Sequence, residues 1–245
     1  MHKGTLRQIL LLTDGCSNTG EDPVAMAALA KEQGMTVNVI GVVERNELSE
    51  RGVTEIEGIA EAGGGISQVV YAKQLSQTVQ MVTRKAMTQT IQGVVTKELQ
   101  QILGEEKEIE DVEPDKRGEL MEVVDDLGET MDLEVFILVD TSASMKNKLP
   151  MVQEALIDLS VSLQSRTGNN EFTLYSFPGK RKDVEKLINW TPHFDSLSNA
   201  FKKLSTSGVT PTGPALQEAI RLMLKRMKKR GSDDEGIEFE EESSM

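Results

Sequence analysis

Asp140-Thr141-Ser142-Ala143-Ser144 follows the apolar run Leu133 to Val139. Such a run reads as a buried strand, so Asp140 falls where the strand breaks into a loop. Asp, Ser and Ser at alternating positions can turn one carboxylate and two hydroxyls toward a common point. This all-oxygen set suits a hard cation such as magnesium and offers little to a thiophilic one. The same side chains are equally suited to capping the next helix and bonding their own loop. Asp140, Ser142 and Ser144 alone leave both readings open.

The DxSxS pattern after a buried strand resembles the metal-ion-dependent adhesion site of von Willebrand factor type A (vWA) domains. That family completes its site with a Thr from a second loop and an Asp from a third, the latter read as TDG at a strand end. Ser207-Gly208-Val209-Thr210-Pro211-Thr212-Gly213-Pro214-Ala215-Leu216 looks like the Thr loop, and Gln8 to Leu12 followed by Thr13-Asp14-Gly15 looks like the Asp loop. The TDG here precedes the DxSxS that it should follow. The resemblance therefore implies a circularly permuted domain, ordinary in order when 133–230 is read before 4–103. It divides the chain into the second half of the fold (4–103), an acidic linker (104–132), the first half (133–230) and an acidic disordered tail (231–245). By the same resemblance the metal ligands are Asp140, Ser142, Ser144, Thr210 and Asp14, the ion is Mg2+ or Mn2+, and one position stays open for an acidic side chain of a protein partner. The chain also looks like vWA proteins of endospore-forming bacteria.

The remaining pattern reads independently as α/β. Leu6 to Thr13 is a buried strand, and Glu21-Asp22-Pro23 supplies a cap and a first-turn proline for a helix to Gln33. Thr36 to Val43 is a second strand, Thr54-Glu55-Ile56-Glu57 a capping box opening a short helix, and Ser67 to Ala72 a third strand. Leu75, Val79, Val82, Ala86, Val94, Val95, Leu99 and Ile102 recur at helical spacing, with a break expected near Gly93. Leu120, Val123, Val124 and Leu127 leave room for a short docking helix inside the linker. Val152, Ala155, Leu156, Leu159 and Leu163 form the core stripe of a helix over about 148–165. Phe172–Phe177 and Val184–Trp190, joined by a short turn, suggest an antiparallel hairpin. A helix follows from Leu216 to Arg230. Alternation of this kind predicts a doubly wound, mostly parallel six-stranded sheet with helices on both faces, a Rossmann-like fold.

Charge is unevenly spread over the 245 residues. The net charge is −13, yet residues 104–134 carry 14 acidic and three basic side chains, and 231–245 carry seven acidic and none basic. The folded body is thus mildly basic, and nothing points to nucleic acid as a partner. Lys225, Arg226, Lys228, Lys229 and Arg230 read as favourable charges at a helix C-terminus. A single cysteine, Cys16, excludes a disulfide framework and a cysteine zinc site, and suits a reducing cytoplasm. No apolar run reaches the roughly 18 residues a membrane span needs.

Catalysis finds little support. Gly63-Gly64-Gly65 lacks the following Gly-Lys-Ser/Thr of a phosphate loop, and Ser142 stands where a phosphoryl-transfer aspartate would want a second acid. The histidines are His2 and His193, too few for zinc, and no nucleophile elbow accompanies them. The expectation is a non-enzymatic, cytoplasmic protein-binding module, monomeric or a swapped homodimer. The rivals are a metal-independent scaffold using the acidic linker or the long helix, and an undetected hydrolase. Thr212 is expected to cap its helix and Cys16 to be a bystander.

Overall fold

The computed structural model describes residues 4–44, 49–103, 113–194, 197–201, 204 and 208–242. Its strands are β1 (Thr5–Thr13), β2 (Thr36–Val43), β3 (Gly64–Tyr71), β4 (Asp132–Asp140), β5 (Asn170–Phe177) and β6 (Glu185–Thr191). Its helices are α1 (Pro23–Glu32), α2 (Glu50–Ala62), α3 (Leu75–Leu103), α4 (Pro114–Thr130), α5 (Leu149–Leu163), α6 (Leu197–Phe201) and α7 (Thr212–Glu242). One sheet runs in the order β3-β2-β1-β4-β5-β6. All neighbours are parallel except β5 and β6, the expected hairpin.

The central pair is β1 and β4, in register from Thr5 opposite Asp132 to Leu12 opposite Val139. The centres of both strands, Ile9–Leu12 and Val135–Val139, are apolar because helices cover both faces of the sheet. Leu10, Leu12, Val135, Ile137 and Val139 pack against α3, α4 and α5. Ile9, Leu11, Phe136 and Leu138 point the other way, against α1, α2 and α7. The chain winds from β1 outward in one direction and from β4 outward in the other, so the order reverses between them. A crevice forms there at the strand C-terminal ends.

Polar residues inside this sheet are matched. Gln8 donates to the Thr83 carbonyl at 3.3 Å and accepts from Asn38 at 3.1 Å, and Asn38 in turn accepts the Ile66 backbone N–H at 3.0 Å. At the N-terminal end of β4, Glu134 is 2% exposed and takes Arg7 at 3.2 Å, Arg226 at 2.8 Å and Arg230 at 2.7 Å. Arg226 and Arg230 also reach Glu171 on β5, and Arg226 lies 4.0 Å from the centre of the Trp190 ring. These arginines therefore serve the sheet, not a helix terminus. The helix they belong to runs on to Glu242, past the end at Arg230 that the basic cluster suggested.

Other boundaries move for local reasons. Helix α2 opens a turn before Thr54, because Ser49 accepts the Gly52 N–H at 3.2 Å and Glu50 complements the first turn. Thr54 then bonds back to the Glu50 carbonyl at 3.0 Å. Helix α3 is unbroken at Gly93, where a side chain would meet nothing within 4 Å. Much of the acidic stretch assigned to a linker, 104–132, is the helix α4, which buries Val124 and rests Leu127 against the core. Residues 104–112 of that stretch, and 243–245 of the tail, lie outside the described residues.

Candidate metal site at the switch point

Each side of the crevice contributes a carboxylate placed by the end of its strand. Asp140 is the last residue of β4 and has no solvent exposure. Its Oδ2 accepts the Thr13 hydroxyl at 2.7 Å and its Oδ1 accepts the Ser142 backbone N–H at 2.7 Å. Each oxygen keeps a further lone pair. Asp14 follows β1, and its side chain is only 1% exposed. Ser144 donates to Asp14 Oδ1 at 2.8 Å, and the Ser142 and Ser144 hydroxyls are 3.1 Å apart. Asp140, Ser142, Ser144 and Asp14 thus form one continuous polar chain, although 126 positions separate its two acids in the numbering.

Thr210 approaches by its backbone. Its N–H donates to Asn18 Oδ1 at 2.9 Å, while its carbonyl accepts the Asn18 N–H at 3.2 Å and the Ser17 hydroxyl at 3.3 Å. The Thr loop is therefore pinned to the segment immediately after Asp14. Thr212 caps nothing: its hydroxyl is buried and without a hydrogen-bond partner among the described residues. Cys16 sits in the same segment with its sulfur 4.0 Å from the Ser49 hydroxyl, outside the polar chain.

The two halves of the sequence also meet through backbone. A Cβ on Gly213 would come within 1.9 Å of the Glu21 carbonyl oxygen, so only glycine permits the start of α7 to lie against the turn before α1. Gly208 in the same loop has nothing within 4 Å. Gly213→Ala should cost about 2 kcal/mol or more by forcing backbone apart, whereas Gly208→Ala should be nearly neutral. Urea titration of the two variants checks this; equal midpoints would contradict it.

A cation already sits against Asp14. The Lys148 ammonium lies 2.5 Å from Asp14 Oδ2 and is itself only 5% exposed. Lys148 and Asn18 lie outside both sequence motifs, and Thr13, although part of the TDG motif, was given no role of its own. The available signal for Lys148 was a lysine immediately before the first residue of α5.

Burial raises the Asp140 carboxyl to about 6, against the lowering effect of the Ser142 N–H and the Thr13 and Ser142 hydroxyls; nearby Asp14 raises it further. The folded value lies above the ordinary 3.8, so the folded protein holds this proton more tightly than the unfolded chain does. Stability should accordingly fall as pH rises from about 4 to about 6, and level off above, by on the order of 3 kcal/mol. Subtracting the Asp140→Asn profile in chelator isolates this contribution. A difference that is flat across the window would contradict it.

Comparison with known proteins now adds to the geometry. Two models described as von Willebrand factor type A domain match the chain, one over residues 135–235 and the other over 1–69. The chain belongs to the vWA family, with its two blocks in permuted order and joined in one sheet. It is 65% identical over 237 residues to an uncharacterized Bacillus subtilis protein, YabS, covering 96% of this chain and 97% of that one. A crystal structure of an uncharacterized protein from Alicyclobacillus acidocaldarius superimposes with a TM-score of 0.84 at 40% identity, covering 92% of this chain and 96% of that one.

The residues present fit a hard divalent ion. Two carboxylates and two hydroxyls linked through hydrogen bonds supply oxygen donors alone, and the buried Thr212 hydroxyl is an unused polar atom in the Thr loop. No group of three or more His, Cys, Asp or Glu side chains suited to a metal occurs among the described residues. An ion here would rely on neutral oxygens beside its two acids. No helix among the described residues is long and apolar enough to cross a membrane.

Proposed function

We propose that this chain is a non-catalytic, divalent-metal-dependent protein-binding module of the cytoplasm. Asp14, Asp140, Ser142, Ser144 and Thr210 would hold Mg2+ or Mn2+, and the partner would present an acidic side chain. The observation that carries this reading is the Ser142–Ser144 hydroxyl relay, which ties the loop after β4 to Asp14 after β1. When bound, the ion supplies an electrophilic position for a carboxylate. The chain's own residues do the rest. Thr13 and the Ser142 N–H orient Asp140, and Asn18 and Ser17 anchor the Thr loop.

Lys148 sets the terms of competition. A cation that reaches Asp14 must share or displace its ammonium, so Lys148→Met should raise magnesium affinity, by roughly tenfold, while lowering stability in chelator. Calorimetric titration reads the first effect and thermal unfolding the second.

Affinity capture from a lysate of the source organism, in magnesium and again in EDTA, tests the module itself. Capture that disappears in EDTA and with Asp140→Ala supports it. Capture unchanged by chelator would favour a metal-independent scaffold, for which the exposed Val94 on α3 and Val123 on α4 are the natural contact points.

A further inference from the structure

We infer that the groove between α7 and the β5–β6 hairpin is a docking site for the acidic segment Asp233–Glu242 of a second copy of this chain. The groove is about 560 Å³ and combines an apolar floor, including Tyr175, Val184 and Leu222, with a cationic rim. Five cations, Lys180, Arg181, Lys182, Lys186 and Arg221, meet two carboxylates there, Glu185 and Glu218. Both carboxylates are committed, Glu218 to Arg221 at 2.5 Å and Glu185 to Lys180 at 3.8 Å. Arg181, Lys182 and Lys186 form no ion pair among the described residues, although each is exposed on the same rim. Three like charges held around an apolar floor repel one another until an anionic ligand with apolar content arrives.

The segment has that composition. Residues 233–242 read Asp-Asp-Glu-Gly-Ile-Glu-Phe-Glu-Glu-Glu, seven acids around Ile237 and Phe239. It cannot reach its own groove. Arg221 and Glu240 stand on one continuous helix, α7, and at about 1.5 Å per residue they are roughly 28 Å apart along its axis. The other acidic stretch, α4, packs with the core on the α3 and α5 face of the sheet, whereas Tyr175, Val184 and Leu222 belong to the opposite face. The contact is therefore between copies, and it is heterologous: one chain gives its tail and receives another's. Heterologous contacts propagate into rings or open chains rather than stopping at a symmetric pair.

The test uses the full chain and two variants. In the groove variant Arg181, Lys182 and Lys186 are each changed to Glu; in the tail variant Glu238, Glu240, Glu241 and Glu242 are each changed to Gln. Sedimentation velocity at low salt should show the unmodified chain growing in mass with concentration, and reverting to monomer at 0.5 M NaCl. Each variant alone should remain monomeric. An equimolar mixture should form pairs and nothing larger, because only the groove variant still has an acidic tail and only the tail variant a basic groove. A monomer at all concentrations, association that survives in the tail variant, or mixtures that fail to pair would overturn the inference. The measurement runs in EDTA and in magnesium with the same expected result. Association that requires magnesium would place the tail at the metal site instead, which sinks the groove assignment without touching the metal reading.

Discussion

Asp14→Ala and Asp140→Ala should each weaken magnesium binding by roughly 100-fold, to a similar degree, although 126 positions separate the two residues. The expectation rests on the polar chain through Ser142 and Ser144, which makes the two acids parts of one site. With only two anionic donors, loss of either removes half of the protein's negative charge at the ion, so the effect should reach the upper end of the roughly 10- to 100-fold that outer-sphere changes cost. The folds should respond differently. Asp140 is fully buried at a raised pKa, so its removal relieves an unfavourable charge. Asp14 is the partner of buried Lys148, so Asp14→Ala leaves an ammonium unmatched and should lower stability as well. Calorimetric titration with circular dichroism separates the two effects. Unchanged metal affinity in Asp14→Ala beside a clear loss in Asp140→Ala would refute a site shared across the permutation.

The second large effect lies at the opposite end of β4. Glu134→Gln should destabilise the protein by on the order of 3 kcal/mol, with a fall in melting temperature of roughly 10 °C. Glutamine keeps the volume but removes the charge that holds Arg7, Arg226 and Arg230. The burial that pushes the Arg226 guanidinium below its ordinary value shows how little solvent is available to take over. Arg230→Ala should cost under about 1 kcal/mol, since that side chain is 42% exposed. Equal losses for Glu134→Gln and Arg230→Ala would mean that the cluster is an ordinary surface network.

What could be read from the chain was what periodicity and strand-end motifs encode. Leu133–Val139 and Gln8–Leu12 are apolar because both sheet faces are covered, and Asp140 and Asp14 stand at their ends. It is the resemblance of these strand ends, together with the Thr210 loop, to the vWA site that implied the permuted halves belong together. Less legible was whatever depends on partners distant in sequence. Glu134 looks like an interruption in an apolar run until Arg226 and Arg230 arrive from a helix 92 and 96 residues later. The acidity of 104–132 suggested solvated chain, yet α4 docks by burying Val124, resting Leu127 against the core and accepting hydrogen bonds from Arg166, Thr167 and Gly168 at its C-terminal end. Thr212 looked like a cap because threonine before a helix usually is one, and nothing in the sequence reveals that its hydroxyl finds no N–H to accept.

The pairing of β1 with β4 sets a schedule for the ribosome. Partners in that ladder stand 127 residues apart, as Thr5 and Asp132 do. At about 5 to 20 residues per second, β1 emerges and then waits roughly 6 to 25 s for its central neighbour to be made. During that interval the unpaired edge of β1 that later meets β4 is open to any other nascent chain. The crevice, too, gains its second carboxylate only when translation has passed Asp140, and its Thr loop only after Thr210. A truncated product therefore keeps the open edge of β1 and lacks Asp140 and Thr210, so the arrangement of these side chains around the switch point exists only once synthesis has run through both halves.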